Sequence, residues 1–325
     1  NPSLPTPTCI VHHVATIQFN NDNAEESHDI TSLAWSNPEN ENEPLILASG
    51  DFSGNIKFYD TKFNEVNSIS SHSSPIVDMH FNSDGTKLLS TGSQGTIAVV
   101  QLDKENYSTT VLGNWDTKRE IANSVWCSKD PSNTSFLVAS GSNLYKGSID
   151  DSNLTQIFTS SSSIMQLITN SSHDMFVIGD TNGSINIFKS DVNTNIYSNI
   201  LHLGCVCSIS CSKLPFSFAT GGADGLVKCV KLEYDKENDK FSNEVIEFKG
   251  HTSSVYAIAY DPLDRYIASA AKETINIWSF NGNSLIITYI ATCPVITLSW
   301  SHDGRFLVVG LASGEVAVID FEQLC

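Results

Sequence analysis

Cys205, Cys207 and Cys211 stand close together at odd positions, so on a regular strand all three would share one face. Grouped thiols could ligate zinc, but a zinc site wants a fourth ligand and paired close spacings of the C-x-x-C kind. The three read better as small buried hydrophobes on an inner strand. His12-His13 with His28 offers three imidazoles, yet adjacent strand residues point to opposite faces, which favours a surface or end-strand pair over a metal site. The chain holds no Walker loop, nucleophile elbow or zincin helix. No catalytic residue, metal or cofactor is expected, and an enzyme ranks third among the function classes.

Three further histidines, His72, His202 and His251, occupy one recurring place: each lies four residues before a six-residue apolar segment. Seven such hexads exist: Ile30–Trp35, Ile76–Phe81, Ile121–Trp126, Ile164–Thr169, Val206–Cys211, Val255–Tyr260 and Val295–Trp300. All open with Ile or Val, and five close on an aromatic residue. Their first residues are 40 to 49 positions apart, near the period of a four-stranded propeller blade.

The elements that position these residues follow the same repeat. After each hexad come a polar turn, an apolar strand ending in small residues, and a tight turn. Glycine fills the tight turn in five units, as Gly54, Gly95, Gly183, Gly225 and Gly314, where it supplies a positive φ. A third strand alternates, as in Thr274–Trp278, and a more polar fourth leads to the next hexad. Val255-Tyr-Ala-Ile-Ala-Tyr260 is small and apolar on both faces, which predicts an innermost strand buried on both sides. No segment keeps a helical period over three turns. The expected class is therefore all-β. Residues 1–325 are expected to form a single seven-bladed propeller with inner strands starting near 30, 76, 121, 164, 206, 255 and 295.

Composition narrows the function classes further. Thirty-six acidic against eighteen basic residues leave a net charge of −18, opposite to what a phosphate-neutralising nucleic-acid binder needs. No stretch reaches eighteen consecutive apolar residues, so no membrane span is expected. Eight cysteines in 325 residues are too few for a disulfide scaffold. No signal-peptide pattern is visible, and an intracellular protein with reduced thiols, nuclear or cytoplasmic, is expected.

The sixth unit carries Gly250-His251, Ser269 and Ile275-Asn276-Ile277-Trp278. On these residues the chain resembles the WD-repeat propeller family. The resemblance implies a structural tetrad of His, Ser or Thr, a turn Asp and Trp, joined by hydrogen bonds. His251, Ser269 and Trp278 match it in the sixth unit, His202, Thr220 and Asp224 in the fifth, and His72 in the second. Elsewhere the Trp position holds Tyr59, Val100, Phe188, Val230 or Ile319, and the turn Asp gives way to Ser53, Gln94, Asn182 or Ser313. Such histidines would be fold elements rather than bases. Met175–Phe188 and Trp300–Gly304 also resemble the WD subunit of the THO complex, which implies a role in messenger-RNA processing or export.

These readings lead to a non-catalytic scaffold for protein–protein interaction, a monomeric propeller within a multi-subunit hetero-complex. Its expected partners are other protein subunits or peptides, with no membrane and no direct sequence-specific nucleic acid. The alternative is a reader of short basic peptides at the axial channel. That reader needs an acidic mouth, and Asp29, Asp51, Asp180 and Asp224 lie near the turns that would build it. A docking spot is expected in the loop Gly113–Glu120, which brings together Trp115, Lys118 and Arg119. The competing reading packs Trp115 between blades and balances Lys118 and Arg119 against nearby acids. The last unit lacks a fourth strand, so Cys9–Phe19 is expected to pair with Glu315–Ile319 and close the ring.

Overall fold

The computed structural model describes residues 29–36, 44–128, 132, 134–189, 194–214, 216–235 and 240–321. Every regular element among them is a β-strand. The strands form seven sheets, six of four strands and one of three, and within each sheet neighbours follow chain order. The protein is an all-β, seven-bladed β-propeller.

The hexads become the first strand of each blade. Six of these strands begin where the repeat places them, at Ile30, Ile76, Ile121, Ile164, Val206 and Val295. The sixth blade differs, its first strand being Ala257–Tyr260. Val255 and Tyr256 stand outside it, although their N–H groups still reach Gly222 O and Ala270 O, both at 3.0 Å.

The described chain falls into two compact units. One lies within Ile17–Asp180 and Phe188–Asn195, where the first strands Ile30–Trp35, Ile76–Phe81, Ile121–Trp126 and Ile164–Thr169 pack in succession. Its core includes Ile56, Phe58, Met79 and Leu88, and separately Trp126, Phe136 and Val138. The other unit lies within Thr181–Ile187 and Ile196–Cys325, where Val206–Cys211, Ala257–Tyr260 and Val295–Trp300 pack in succession. Val227, Val255, Ile267 and Trp278 form part of its core.

Burial corrects one expectation. The second strands Met175–Asp180 and Ser217–Gly222 are buried throughout, whereas the first strand Val295–Trp300 leaves half its residues exposed. A first strand has a hydrogen-bonded neighbour on one side only. A second strand has one on both sides and adjacent sheets above and below.

The hexads also depart from simple alternation. In six of them the second residue forms a register shift against the neighbouring strand: Thr31, Val77, Ala122, Met165, Cys207 and Ile296. Such a bulge breaks the two-residue period and re-aims the side chains after it. Cys205 precedes the strand Val206–Cys211, and Cys207 sits at its bulge. Parity therefore does not place the three cysteines on one face.

The five glycine turns appear with φ between 79° and 106°. The third and sixth blades instead make two-residue turns, in which Gly141 has φ 56° and Lys272 has φ 52°. The seventh blade has three described strands, Val295–Trp300, Phe306–Leu311 and Val316–Asp320. Cys9–Phe19, expected to complete it, lies outside the described residues, as do His12, His13 and His28.

Candidate functional site

The residues with most chemical potential are the histidines that precede the hexads. In the sixth blade Trp278 is buried in the third strand, and its Nε1–H donates to Ser269 Oγ at 2.7 Å. The same Ser269 hydroxyl lies 2.8 Å from His251 Nε2. In the fifth blade His202 Nε2 lies 2.8 Å from Thr220 Oγ1, and Nδ1 lies 2.9 Å from Asp224 Oδ1. In the second blade His72 Nε2 lies 2.9 Å from Ser90 Oγ, and Nδ1 lies 2.7 Å from Thr96 Oγ1. The Nδ1 side of His251 faces Asn276 Nδ2 at 3.5 Å, and Asn276 Oδ1 accepts from Thr288 Oγ1 at 2.7 Å.

Sequence reasoning missed Thr96 and Asn276 in this role. Their signal is faint: Thr96 opens the third strand of its blade, whereas Asn276 is the third residue of its own. Two blades without the histidine carry a hydroxyl at its place. Thr117 accepts from Ser140 Oγ at 2.8 Å and donates to Arg119 O at 2.9 Å. Ser160 donates to the buried Asp180 carboxylate at 2.6 Å.

Burial pushes the imidazoles of His72 and His251 down to about 4. His202 is also lowered, because burial outweighs the hydrogen bond and charge of Asp224. All three are neutral at pH 7 with their ring nitrogens committed to framework partners, so none is poised as a general base. Burial likewise raises the thiols of Cys127, Cys207 and Cys229 to about 12, which keeps them protonated. Among the described residues no group of three His, Cys, Asp or Glu side chains could hold a metal ion.

The expected docking loop is corrected in one respect. The outer strand of the second blade runs from Thr109 to Asp116, so Trp115 belongs to a strand. Trp115 is 7% exposed, its ring lies edge-on to Phe136 at 4.9 Å, and its Nε1–H donates to Asp151 O at 2.9 Å. A partner arriving here would meet Lys118 and Arg119 and not the indole. Lys118 has φ 61° and pairs with the Asp116 carboxylate. Arg119 is exposed, and its backbone packs so closely on Gly95 that a Cβ there would meet Arg119 O at 2.8 Å. The other two arginines are engaged, Arg265 with Asp261 at 2.7 Å and Arg305 with Asp320 at 3.1 Å.

The four aspartates of the expected acidic mouth behave differently from one another. Asp51 is buried and accepts the N–H groups of Ser53 and Asn55 at 2.9 and 2.8 Å. Asp180 is buried against Ser160, and Asp224 takes the Leu203 N–H at 2.9 Å as well as His202. Only Asp29 of the four is exposed. The first strands themselves carry one carboxylate, Asp78.

Two stretches of the chain, residues 63–100 and 242–279, match the family described as WD domain, G-beta repeat. Over 92% of its length the chain is 20% identical to the SIR4-interacting protein SIF2 of Saccharomyces cerevisiae, of which it spans 48%. The crystal structure of the C-terminal WD40 domain of Sif2 is similar with a TM-score of 0.74 and 17% identity, covering 90% of this chain and 81% of that one. The β-propeller domain of Cps50 (Swd1) from Myceliophteria thermophila gives a TM-score of 0.67 and 15% identity, covering 85% and 93%. The chain thus spans about half the length of SIF2.

Proposed function

We propose that this chain, which shares the propeller fold of the Sif2 WD40 domain and matches the WD domain, G-beta repeat family in two stretches, is a non-catalytic docking platform joining protein subunits in a multi-subunit assembly. One observation carries the reading. The residues best suited to chemistry, His72, His202 and His251, are neutral and hydrogen-bonded into the framework that fixes the turns. Turns held in this way present side chains without an ordering cost on binding, which is what a docking surface needs. The name of SIF2, SIR4-interacting protein, points the same way.

The basic-peptide reading loses most of its support, because Asp51, Asp180 and Asp224 already serve internal hydrogen bonds. The messenger-RNA export reading leans on Met175–Phe188, whose first six residues form a fully buried strand. Residues there answer to packing and do not read out a partner. Affinity purification of the tagged chain from its own cells, at low and high salt, tests the platform. A stoichiometric set of partners that survives the salt step is expected. Recovery of the chain alone under both conditions overturns it.

A further inference from the structure

The fifth blade ends in the longest hairpin described. Strands Leu226–Asp235 and Lys240–Lys249 have ten residues each and pair in unbroken register, from Leu226 opposite Lys249 to Asp235 opposite Lys240. The corresponding pairs in the first, second, third and sixth blades all carry a register shift, at Phe58/Tyr59, Val99/Val100, Leu144/Tyr145 and Ile277/Trp278. Bulges of this kind twist an outer strand and interrupt its row of free N–H and C=O groups. They are among the devices that stop sheet edges from recruiting another chain, along with proline and short length.

Lys240–Lys249 has none of these three devices, although charged residues, which also discourage edge pairing, stand on it as Lys240, Glu244, Glu247 and Lys249. It is the last strand in its sheet and contains no proline, and from Ser242 onward it makes no backbone hydrogen bond beyond its partner strand among the described residues. Alternate residues between Ser242 and Lys249 therefore present a straight run of unpaired donors and acceptors.

The side chains on this edge indicate what fits it. Glu247 is neutralised by Lys228 and Lys249 at 3.1 and 3.0 Å. Glu244 is exposed, and Lys231, directly opposite it in the register, turns away to lie over the Phe280 ring at 4.4 Å. Val245 is exposed on the other face. An incoming strand with a cation opposite Glu244 and a β-branched residue beside Val245 would complement both. A second copy of this chain is disfavoured, since each carries a net charge of −18.

We propose that the edge Ser242–Lys249 is a strand-addition site, and that its occupant is an extended, lysine- or arginine-bearing segment of a partner protein. The inference rests on the docking-platform reading and names a surface for it. Main-chain hydrogen bonds would supply affinity, and the alternating side chains would supply selectivity.

The test uses the purified chain and a fluorescent nonapeptide alternating lysine with threonine. Two control peptides are its glutamate counterpart and a version N-methylated at every second backbone nitrogen. The lysine peptide is expected to bind about tenfold more tightly than either control and to slow hydrogen exchange at alternate amides between Ser242 and Lys249. Glu244→Lys should weaken it with the melting temperature unchanged. Equal binding of the N-methylated peptide, or protection confined to other strands, overturns the proposal. Failure here with partners still recovered from cells removes this edge and leaves the platform. Peptide binding without any cellular partner does the reverse.

Discussion

The carboxylate of Asp78 accepts the backbone N–H of Ser124 at 2.7 Å, from one blade's first strand to the next. The same relation joins Asn123 to Leu167 at 3.3 Å and Ser208 to Ile258 at 3.0 Å. In every case the third residue of one hexad serves the N–H of the fourth residue of the following hexad. That N–H lies on the free edge of a first strand and would otherwise lack a partner. The third position is polar in six hexads, as Ser32, Asp78, Asn123, Gln166, Ser208 and Thr297, and Ala257 is the exception. Two indoles add a second tie: Trp126 Nε1–H donates to His80 O at 2.9 Å, and Trp300 Nε1–H to Ala259 O at 3.1 Å.

Removing the Asp78 side chain should therefore loosen the seam between the second and third blades. Asp78 also accepts from Ser124 Oγ at 3.2 Å, so Asp78→Ala loses two bonds across the seam, besides those to Met79 N–H and His80 on its own strand, and should cost at least about 1.5–3 kcal/mol. Asp78→Asn keeps an acceptor and should cost less than half as much. Urea midpoints of the two variants decide the matter, and equal losses would mean that the seam does not depend on this bond.

The framework histidines set a pH dependence with a definite sign. His72 and His251 have folded values of about 4 against 6.5 unfolded, so between these limits the unfolded chain binds more protons. Their contribution is complete above 6.5 and is lost as pH falls toward 4, at up to about 1.4 kcal/mol per pH unit for each. His80 works in the opposite direction. Desolvation by its neighbours lowers it, but the charge and hydrogen bond of Asp78, 3.0 Å away, raise it on balance, and the His80 side chain itself is 46% exposed. Its pairing is present below 6.5 and lost as pH rises through its raised value. A His72→Gln, His251→Gln double variant should be less stable at neutral pH yet show a flatter fall on acidification. Parallel pH profiles for variant and parent would refute the assignment.

Trp278 combines two contributions that substitutions can separate. Trp278→Ala removes a buried ring and should cost about 3–5 kcal/mol. Trp278→Phe keeps most of the packing and loses the bond to Ser269, so about 1–3 kcal/mol is expected, similar to His251→Ala. Thermal melts of all three order them. Unchanged melting temperatures would remove the Trp278–Ser269–His251 chain from the account of stability.

The second-blade segment should divide sharply between structure and surface. Trp115→Ala should cost about 3–5 kcal/mol, as loss of a buried aromatic. A Lys118→Ala, Arg119→Ala double variant should stay within about 0.5 kcal/mol of the parent. If that stable double variant still recovers every co-purifying protein, the turn at Lys118 and Arg119 is not a docking point.

The sequence by itself determined the number of blades, the starts of six of the seven first strands, and the five glycine turns. These rest on local demands: a recurring apolar segment, and a positive φ that glycine meets without strain. It also located His72, His202 and His251, because their offset from the hexads recurs. Only the tertiary structure decided what each side chain meets. The bulge at the second hexad residue, the service of Asn276 and Thr96 to the histidines, and the engagement of Asp51, Asp180 and Asp224 all depend on atoms brought together by folding. So does the burial of Trp115 against Phe136 and Asp151. Residue type and spacing show which groups could bond or bind. Whether a group remains free depends on the neighbours that pack over it, and those come from strands and turns as much as 52 residues away.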